Sequence, residues 1–163
     1  MNKGRLPVAL NVAEKPSVAK TITEILKIDR YMKKPGRSKF NPNFEFETKI
    51  RGNRVSMIST SVCGHIKQFQ FPIQCRSWHK TKYISLFTTP LDESIIDKSF
   101  EIVENLKHLA SRADILFLWL DCDREGEAIA EDVIEVCREV NPNIEVLRAH
   151  FSALTKRDIE FSI

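Results

Sequence analysis

The sequence predicts an α/β domain, a mainly parallel central sheet flanked by helices, with a β-hairpin insertion. Three stretches carry that prediction. Residues 7–13 are a short apolar run that gives way at once to a helical pattern. Residues 44–60 alternate in hydropathy about a turn, as a hairpin does. Residues 115–120 are unbroken Ile115, Leu116, Phe117, Leu118, Trp119 and Leu120, which marks a central parallel strand buried on both faces.

The bulk numbers agree. A chain of 163 residues suits one domain with its own core. With 42% hydrophobic and 29% charged residues it reads as globular rather than disordered. No apolar run approaches the ~18 residues of a membrane span. No signal-peptide core follows Met1 to Arg5, so no membrane association is expected. Cys63, Cys75, Cys122 and Cys137 lack any CxxC spacing and read as reduced thiols of an intracellular protein, in preference to a disulfide or zinc role. A net charge of +3 is compatible with a nucleic-acid partner but does not point to one by itself.

Taken in order, the first strand ends at Ala13. Pro16 suits the first turn of a helix, and Val18, Ile22, Ile25 and Leu26 continue it over residues 16–27. Glu14 thus stands at the carboxyl end of a strand, where open α/β sheets bind ligands. Residues 27–43 mix Lys27, Arg30, Lys33, Lys34, Arg37 and Lys39 with Pro, Gly, Ser and Asn, which predicts a basic loop. It is either a solvated insertion or a surface for phosphate backbones. In the hairpin, Gly52–Asn53 offers the turn. Cys63–Gly64–His65 closes it, with His65 either a turn residue or a functional one.

Residues 66–93 show little periodicity. Their Phe69, Phe71, Trp78, Tyr83, Leu86 and Phe87 are expected to pack inward from an irregular segment; base stacking is the alternative, because Lys67, Arg76, Lys80 and Lys82 are interleaved with them. A helix is predicted over residues 94–111, with Ile95, Ile96, Phe100, Val103, Leu106, Leu109 and Ala110 on one face. Another runs over residues 124–140 with Ile129, Val133, Val136, Cys137 and Val140 inward, stopped by Pro142. Residues 143–149 make a third strand. Thr155 is placed to cap a last helix that the chain end cuts short, from which the chain is expected to be a fragment of a longer protein.

The chemistry concentrates at Asp121, Cys122, Asp123, Arg124, Glu125, Gly126 and Glu127, between the central strand and the helix. Asp at a helix N-cap and Glu in the first turn are ordinary capping residues. Four carboxylates within seven residues exceed that need, and their repulsion favours a nearby cation. Mg²⁺ suits such a site, because it takes a few carboxylates and completes its shell with water and phosphate oxygens. If the strands ending at Ala13 and Leu120 are adjacent and parallel, Glu14 joins these acids at one edge of the sheet. Lys15 beside Glu14 is either a surface ion pair or a cation for phosphate.

Four segments, in this order, carry a family resemblance. They are Val12–Ala13–Glu14–Lys15–Pro16–Ser17, Thr60–Ser61–Val62–Cys63–Gly64–His65, Trp119–Leu120–Asp121–Cys122–Asp123–Arg124–Glu125–Gly126–Glu127, and Arg148–Ala149–His150–Phe151–Ser152–Ala153–Leu154–Thr155. Together they resemble type IA DNA topoisomerases, specifically the eukaryotic topoisomerase III branch. The Asp-x-Asp-x-Glu pattern alone marks the broader Toprim (Rossmann-like) fold, which primases, type II topoisomerases and some nucleases share. His150 stands where such proteins commonly carry arginine.

The resemblance implies a Toprim domain at residues 1–163 of a longer enzyme. Such enzymes cut one DNA strand through a tyrosine, hold the 5′-phosphate on it, pass another strand and reseal, without ATP. It implies Mg²⁺ held by Asp121, Asp123 and Glu125. Glu14 would act as acid and base at the 3′ oxygen, and Lys15 would contact the scissile phosphate. His65, Arg124, Arg148, Lys33, Lys34 and Arg37 are candidate DNA contacts. The chain contains only Tyr31 and Tyr83, neither in the setting of the family's nucleophile, so the chain alone is expected not to cleave DNA. Implied partners are single-stranded DNA, or RNA, the remaining domains of the enzyme, a RecQ-type helicase and OB-fold accessory subunits, in the nucleus. The rival readings are a Toprim primase or nuclease and a receiver-like regulatory module.

Overall fold

The computed structural model describes residues 5–77, 79 and 81–163. Trp78 and Lys80, two of the residues expected in the aromatic and basic segment, lie outside the described residues. The chain forms a six-stranded sheet with helices on both faces and a separate two-stranded ribbon. Strand β1 (Val8–Ala13) leads into α1 (Pro16–Leu26), and β2 (Tyr31–Lys34), β3 (Asn43–Ile50) and β4 (Asn53–Ser61) follow. The ribbon pairs β5 (Lys67–Gln70) with β6 (Asp92–Ile95). Helix α2 (Phe100–Ala110), β7 (Ile115–Trp119), α3 (Arg124–Val140), β8 (Glu145–Arg148) and α4 (Lys156–Phe161) complete the domain.

The sheet order is β2-β3-β4-β1-β7-β8. β1 lies between β4 and β7, parallel to both, and β8 is parallel to β7. β3 is the antiparallel member. The hairpin is therefore continuous with the main sheet, since its second strand is the neighbour of β1.

Side chains alternate across the inner strands and build two cores. On one face Leu10, Val12, Leu116 and Leu118 meet Val103, Leu106 and Leu109 of α2 and Ile129, Val133 and Val136 of α3. On the other, Ala9, Ala13, Met57, Phe117 and Trp119 meet Ala19, Ile22 and Leu26 of α1 and Ile159 of α4. That alternation within 115–120 is the two-sided burial its continuous apolar composition predicts. Among the polar residues inside, Asn11 accepts from Trp119 Nε1 at 3.2 Å and donates to Ser59 Oγ at 3.1 Å, joining three strands on the α1 face.

Several local expectations are corrected. Residues 27–43 are not wholly loop, because Tyr31–Lys34 pairs with β3 as the edge strand. The hairpin turn is Arg51–Gly52, both with positive φ (47° and 83°), which is the twist a two-residue hairpin loop needs. Among the described residues of 66–93 the aromatics do not pack inward: Phe69, Phe71, Tyr83 and Phe87 are exposed, Phe87 at 88%. The helix expected over 94–111 begins only at Phe100, because Ile95 belongs to β6 and a 3₁₀ turn at Asp97–Ser99 intervenes. Phe100 and Val140 are exposed rather than inward. Helix α3 has the expected bounds, and Thr155 caps α4 by accepting from Asp158 N–H at 3.2 Å. The four cysteines are free thiols, with Cys137 buried. Among the described residues no helix is long and apolar enough to cross a membrane.

Candidate active site

The parallel pairing of β1 with β7 decides where the acids sit. Ala13 is the register partner of Trp119, so Glu14 and the Leu120–Asp121 step leave the sheet side by side at one edge. β4 ends at the same edge: its Ser61 is the partner of Ala13, and Cys63 N–H donates to Glu14 O at 2.7 Å. Cys63 and Gly64 both take positive φ (79° and 92°), a sharp reversal that is unusual for a cysteine. Three strand ends thus meet at one edge, the carboxyl edge of an open α/β sheet.

Lys15 binds Glu14, with Nζ 2.9 Å from Oε1. Its backbone caps α1, and Lys15 O accepts from Ala19 N–H at 3.1 Å, so the residue is held by the helix start. The hydrogen bond to Glu14 and then the Glu14 charge keep the Lys15 ammonium above its ordinary pKa. Desolvation opposes this, while Asp121 and Glu125 reinforce it. Lys15 is therefore the cation that feels both halves of the acid cluster.

The acidic turn is shaped by two close approaches. Asp123 is the N-cap of α3, and its Oδ1 accepts from Gly126 N–H at 2.7 Å. Gly126 is buried so tightly against the strand exit that a Cβ there would lie 2.0 Å from Asp121 O. Only a residue without a side chain lets the helix start this close to the strand end. Asp121, Asp123 and Glu125 remain exposed to solvent.

Arg148 at the end of β8 does not point away from this turn. Its Nη2 donates to Asp121 O at 2.8 Å, and Nη1 donates to Ala149 O at 2.9 Å and Leu118 O at 3.2 Å. Nε donates to Glu127 Oε1 at 3.1 Å. The guanidinium ties the turn to the neighbouring strand, and Glu127 is its counter-charge. Sequence reasoning missed this brace and the role of Gly126. The glycine between Glu125 and Glu127 was a visible signal for the second, whereas the first requires knowing that β8 lies beside β7.

The other candidate contacts are distributed around the edge. His65 Nδ1 is 3.4 Å from Asp132 Oδ2 on α3. Arg124 is exposed at the start of α3, and Lys33 and Arg37 are exposed in and after β2. Lys34 is paired with Glu45, which also binds Arg112 at 3.2 Å. Cys122 Sγ lies 3.8 Å from His150 Nδ1. Of the two tyrosines, Tyr31 is half-buried, edge-on to Phe44 with centroids 5.7 Å apart. Its hydrogen bond with Glu24, then burial, raise its pKa, which is the reverse of nucleophile activation.

Comparison with known proteins settles the family. The Toprim domain model matches residues 9–154. The chain belongs to the Toprim domain family. This Toprim domain is 43% identical over 162 residues, 99% of its length, to DNA topoisomerase 3-alpha of Arabidopsis thaliana, of which it covers 18%. It is 39% identical over 93% of its length to DNA topoisomerase 3 of Caenorhabditis elegans, covering 20% of that protein. Against DNA topoisomerase 3-alpha of Homo sapiens the figures are 38% identity, 90% of this chain and 15% of the relative. The Toprim domain thus spans a fifth or less of the length of these three relatives.

The Toprim acids have the chemistry of a hard-cation site. All the donors are carboxylate oxygens, and they face solvent, where water and phosphate can complete a shell. Among the described residues no group of three or more His, Cys, Asp or Glu is placed so as to hold a metal ion by itself. Mg²⁺ does not need such a group, since it commonly binds through one or two carboxylates together with substrate phosphate.

Proposed function

We propose that this Toprim domain supplies the acid–base and metal-binding half of a strand-cleavage and resealing site in a topoisomerase 3-type enzyme. The observation that carries the proposal is the meeting of Glu14 and Lys15 with Asp121 and Glu125 at the adjacent ends of two parallel strands. Sequence identity of 43% and 39% along nearly the whole chain to two DNA topoisomerase 3 relatives supports the same reading.

Asp121, Asp123 and Glu125 are the residues that would hold Mg²⁺, which when bound neutralises charge on the phosphate backbone. Lys15 places its ammonium beside Glu14, so a phosphate reaching Glu14 meets a cation fixed by the start of α1. Glu14 gives a proton to the 3′ oxygen as it leaves phosphorus, and takes it back when that oxygen attacks the 5′-phosphotyrosine to reseal the strand. The tyrosine is contributed from outside this chain. The substrate is single-stranded DNA or RNA, and the setting is nuclear, with a RecQ-type helicase and OB-fold subunits as partners. On this reading the 163-residue chain binds Mg²⁺ and forms no covalent DNA adduct by itself.

A chimera tests the proposal. This chain would replace the matching segment of the Arabidopsis DNA topoisomerase 3-alpha. The chimera is expected to relax supercoiled DNA, and its Glu14→Gln form is expected to lose that activity while remaining folded. Equal relaxation by the two forms would contradict the role given to Glu14.

A further inference from the structure

The connection from β2 to β3, residues 35–42, emerges at the same sheet edge as Glu14. β2 and β4 both run antiparallel to β3, so Lys34 and Asn43 stand at the level of the carboxyl ends of β4 and β1. The loop is built, not slack. Asn41 is 1% exposed, and its Nδ2 donates to Ser61 O at 2.8 Å and Ser61 Oγ at 2.9 Å. The same amide is 3.5 Å from Sγ of Cys63, the residue whose N–H binds Glu14 O. Asn41 N–H returns to Ser38 O at 3.2 Å, and a Cβ at Gly36 would strike Asn41 O at 2.0 Å. Arg37 N–H donates to Asn105 Oδ1 of α2 at 3.4 Å.

With Ser38 and Asn41 turned inward, the residues around them must face out. Phe40 is 70% exposed, and Arg37 and Lys39 are exposed beside it. Lys39 Nζ lies 5.1 Å from the centroid of the Phe40 ring. A large aromatic ring held in solvent by a rigid loop, flanked by cations, has the chemistry of a platform for one base of a single strand, with the phosphates on the cations.

We propose that Phe40, with Arg37 and Lys39, is a base-stacking subsite that anchors a single nucleic-acid strand beside Glu14. The inference rests on the reading of Glu14 and Lys15 as the strand-cleavage site, and it adds the element that holds the strand on the β2–β3 side. The contacts of Asn41 with Ser61 and Cys63, and of Cys63 N–H with Glu14 O, tie the loop to the strand ends that carry Glu14.

The test is fluorescence anisotropy of a labelled oligothymidylate with the 163-residue chain at low salt, repeated with a strand of abasic sites. Phe40→Ala is expected to weaken oligothymidylate binding about tenfold and to leave the abasic strand unchanged, with Phe40→Trp binding like the parent. Arg37→Ala together with Lys39→Ala is expected to lower the salt slope by about 1.4 for two phosphate contacts. Equal loss on both strands for Phe40→Ala, no loss at all, an unchanged salt slope, or binding of anionic lipid vesicles but not oligonucleotide would each overturn the proposal. The chimera's response to Glu14→Gln does not depend on this loop, so failure here and failure of the cleavage reading are distinguishable.

Discussion

Ala13 and Trp119 stand opposite each other in the parallel ladder of β1 and β7, and that single pairing brings Glu14 beside Asp121. The residues come from motifs far apart in the chain. Their meeting depends on backbone register, and a slip of one residue would turn the side chains of one strand to the opposite face. The buried triad of Trp119, Asn11 and Ser59 stands against such a slip, since each hydrogen bond needs this alignment.

Gly126→Ala should destabilise the domain. The added methyl meets Asp121 O at a distance no packing tolerates, so either α3 moves or the strand exit does. A cost of about 1–3 kcal/mol is expected, read as a fall of several degrees in Tm on thermal unfolding. An unchanged Tm would show that the approach of Gly126 to Asp121 is not tight.

Asp123 has two roles that substitution separates. Asparagine is as good an N-cap as aspartate, whereas alanine is not. Asp123→Ala should lose about 1 kcal/mol of stability in urea unfolding, and Asp123→Asn should lose little. Both should weaken Mg²⁺ binding. If both keep their full stability, the Gly126 N–H bond contributes nothing to the helix start.

Arg148→Ala should be more damaging than its place on a four-residue edge strand suggests. It strips a charged donor from the carbonyls of Leu118, Ala149 and Asp121. A loss of about 2–3 kcal/mol is expected, together with altered backbone NMR shifts across residues 121–127. If Arg148→Ala is as stable as the parent and weakens only oligonucleotide binding, the side chain is a strand contact and not a brace.

Cys137 predicts an alkaline limit. Burial pushes its thiol from an ordinary 9.0 up to about 12. Below pH 9 both folded and unfolded chains carry the proton and the thiol has no effect. Above it the unfolded chain ionises first, so stability falls by up to about 1.4 kcal/mol per pH unit until the folded thiol also titrates. Unfolding measured from pH 8 to 11 should show a shallower decline in Cys137→Ala. In the native chain, Ellman's reagent should label the exposed Cys63 and Cys122 and leave Cys137 unmodified until unfolding.

Much of this was legible in the sequence, for physical reasons. The run 115–120 can be satisfied only by burial on two faces, and the start and stop residues of α3 are strong local signals. The Asp121 to Glu127 turn followed from them. Features set by tertiary neighbours were not legible. Tyr31–Lys34 is short and polar and becomes a strand only because β3 presents an edge to it. Whether Phe69 or Phe87 is covered depends on the surface around it, not on its neighbours in sequence. Arg148 reads from sequence as a candidate DNA contact, and its bond to Asp121 O follows only from β8 lying beside β7.

The central claim is that the ends of β1 and β7 make one cation-responsive site. Titration of the 163-residue chain with Mg²⁺, followed by NMR, tests it most directly. The account predicts that the signals of Glu14, Asp121, Asp123 and Glu125 shift together along one binding curve, and that Asp123→Asn weakens the response at all of them. A response of the acidic turn that leaves Glu14 unmoved, or none at the turn at all, would contradict it.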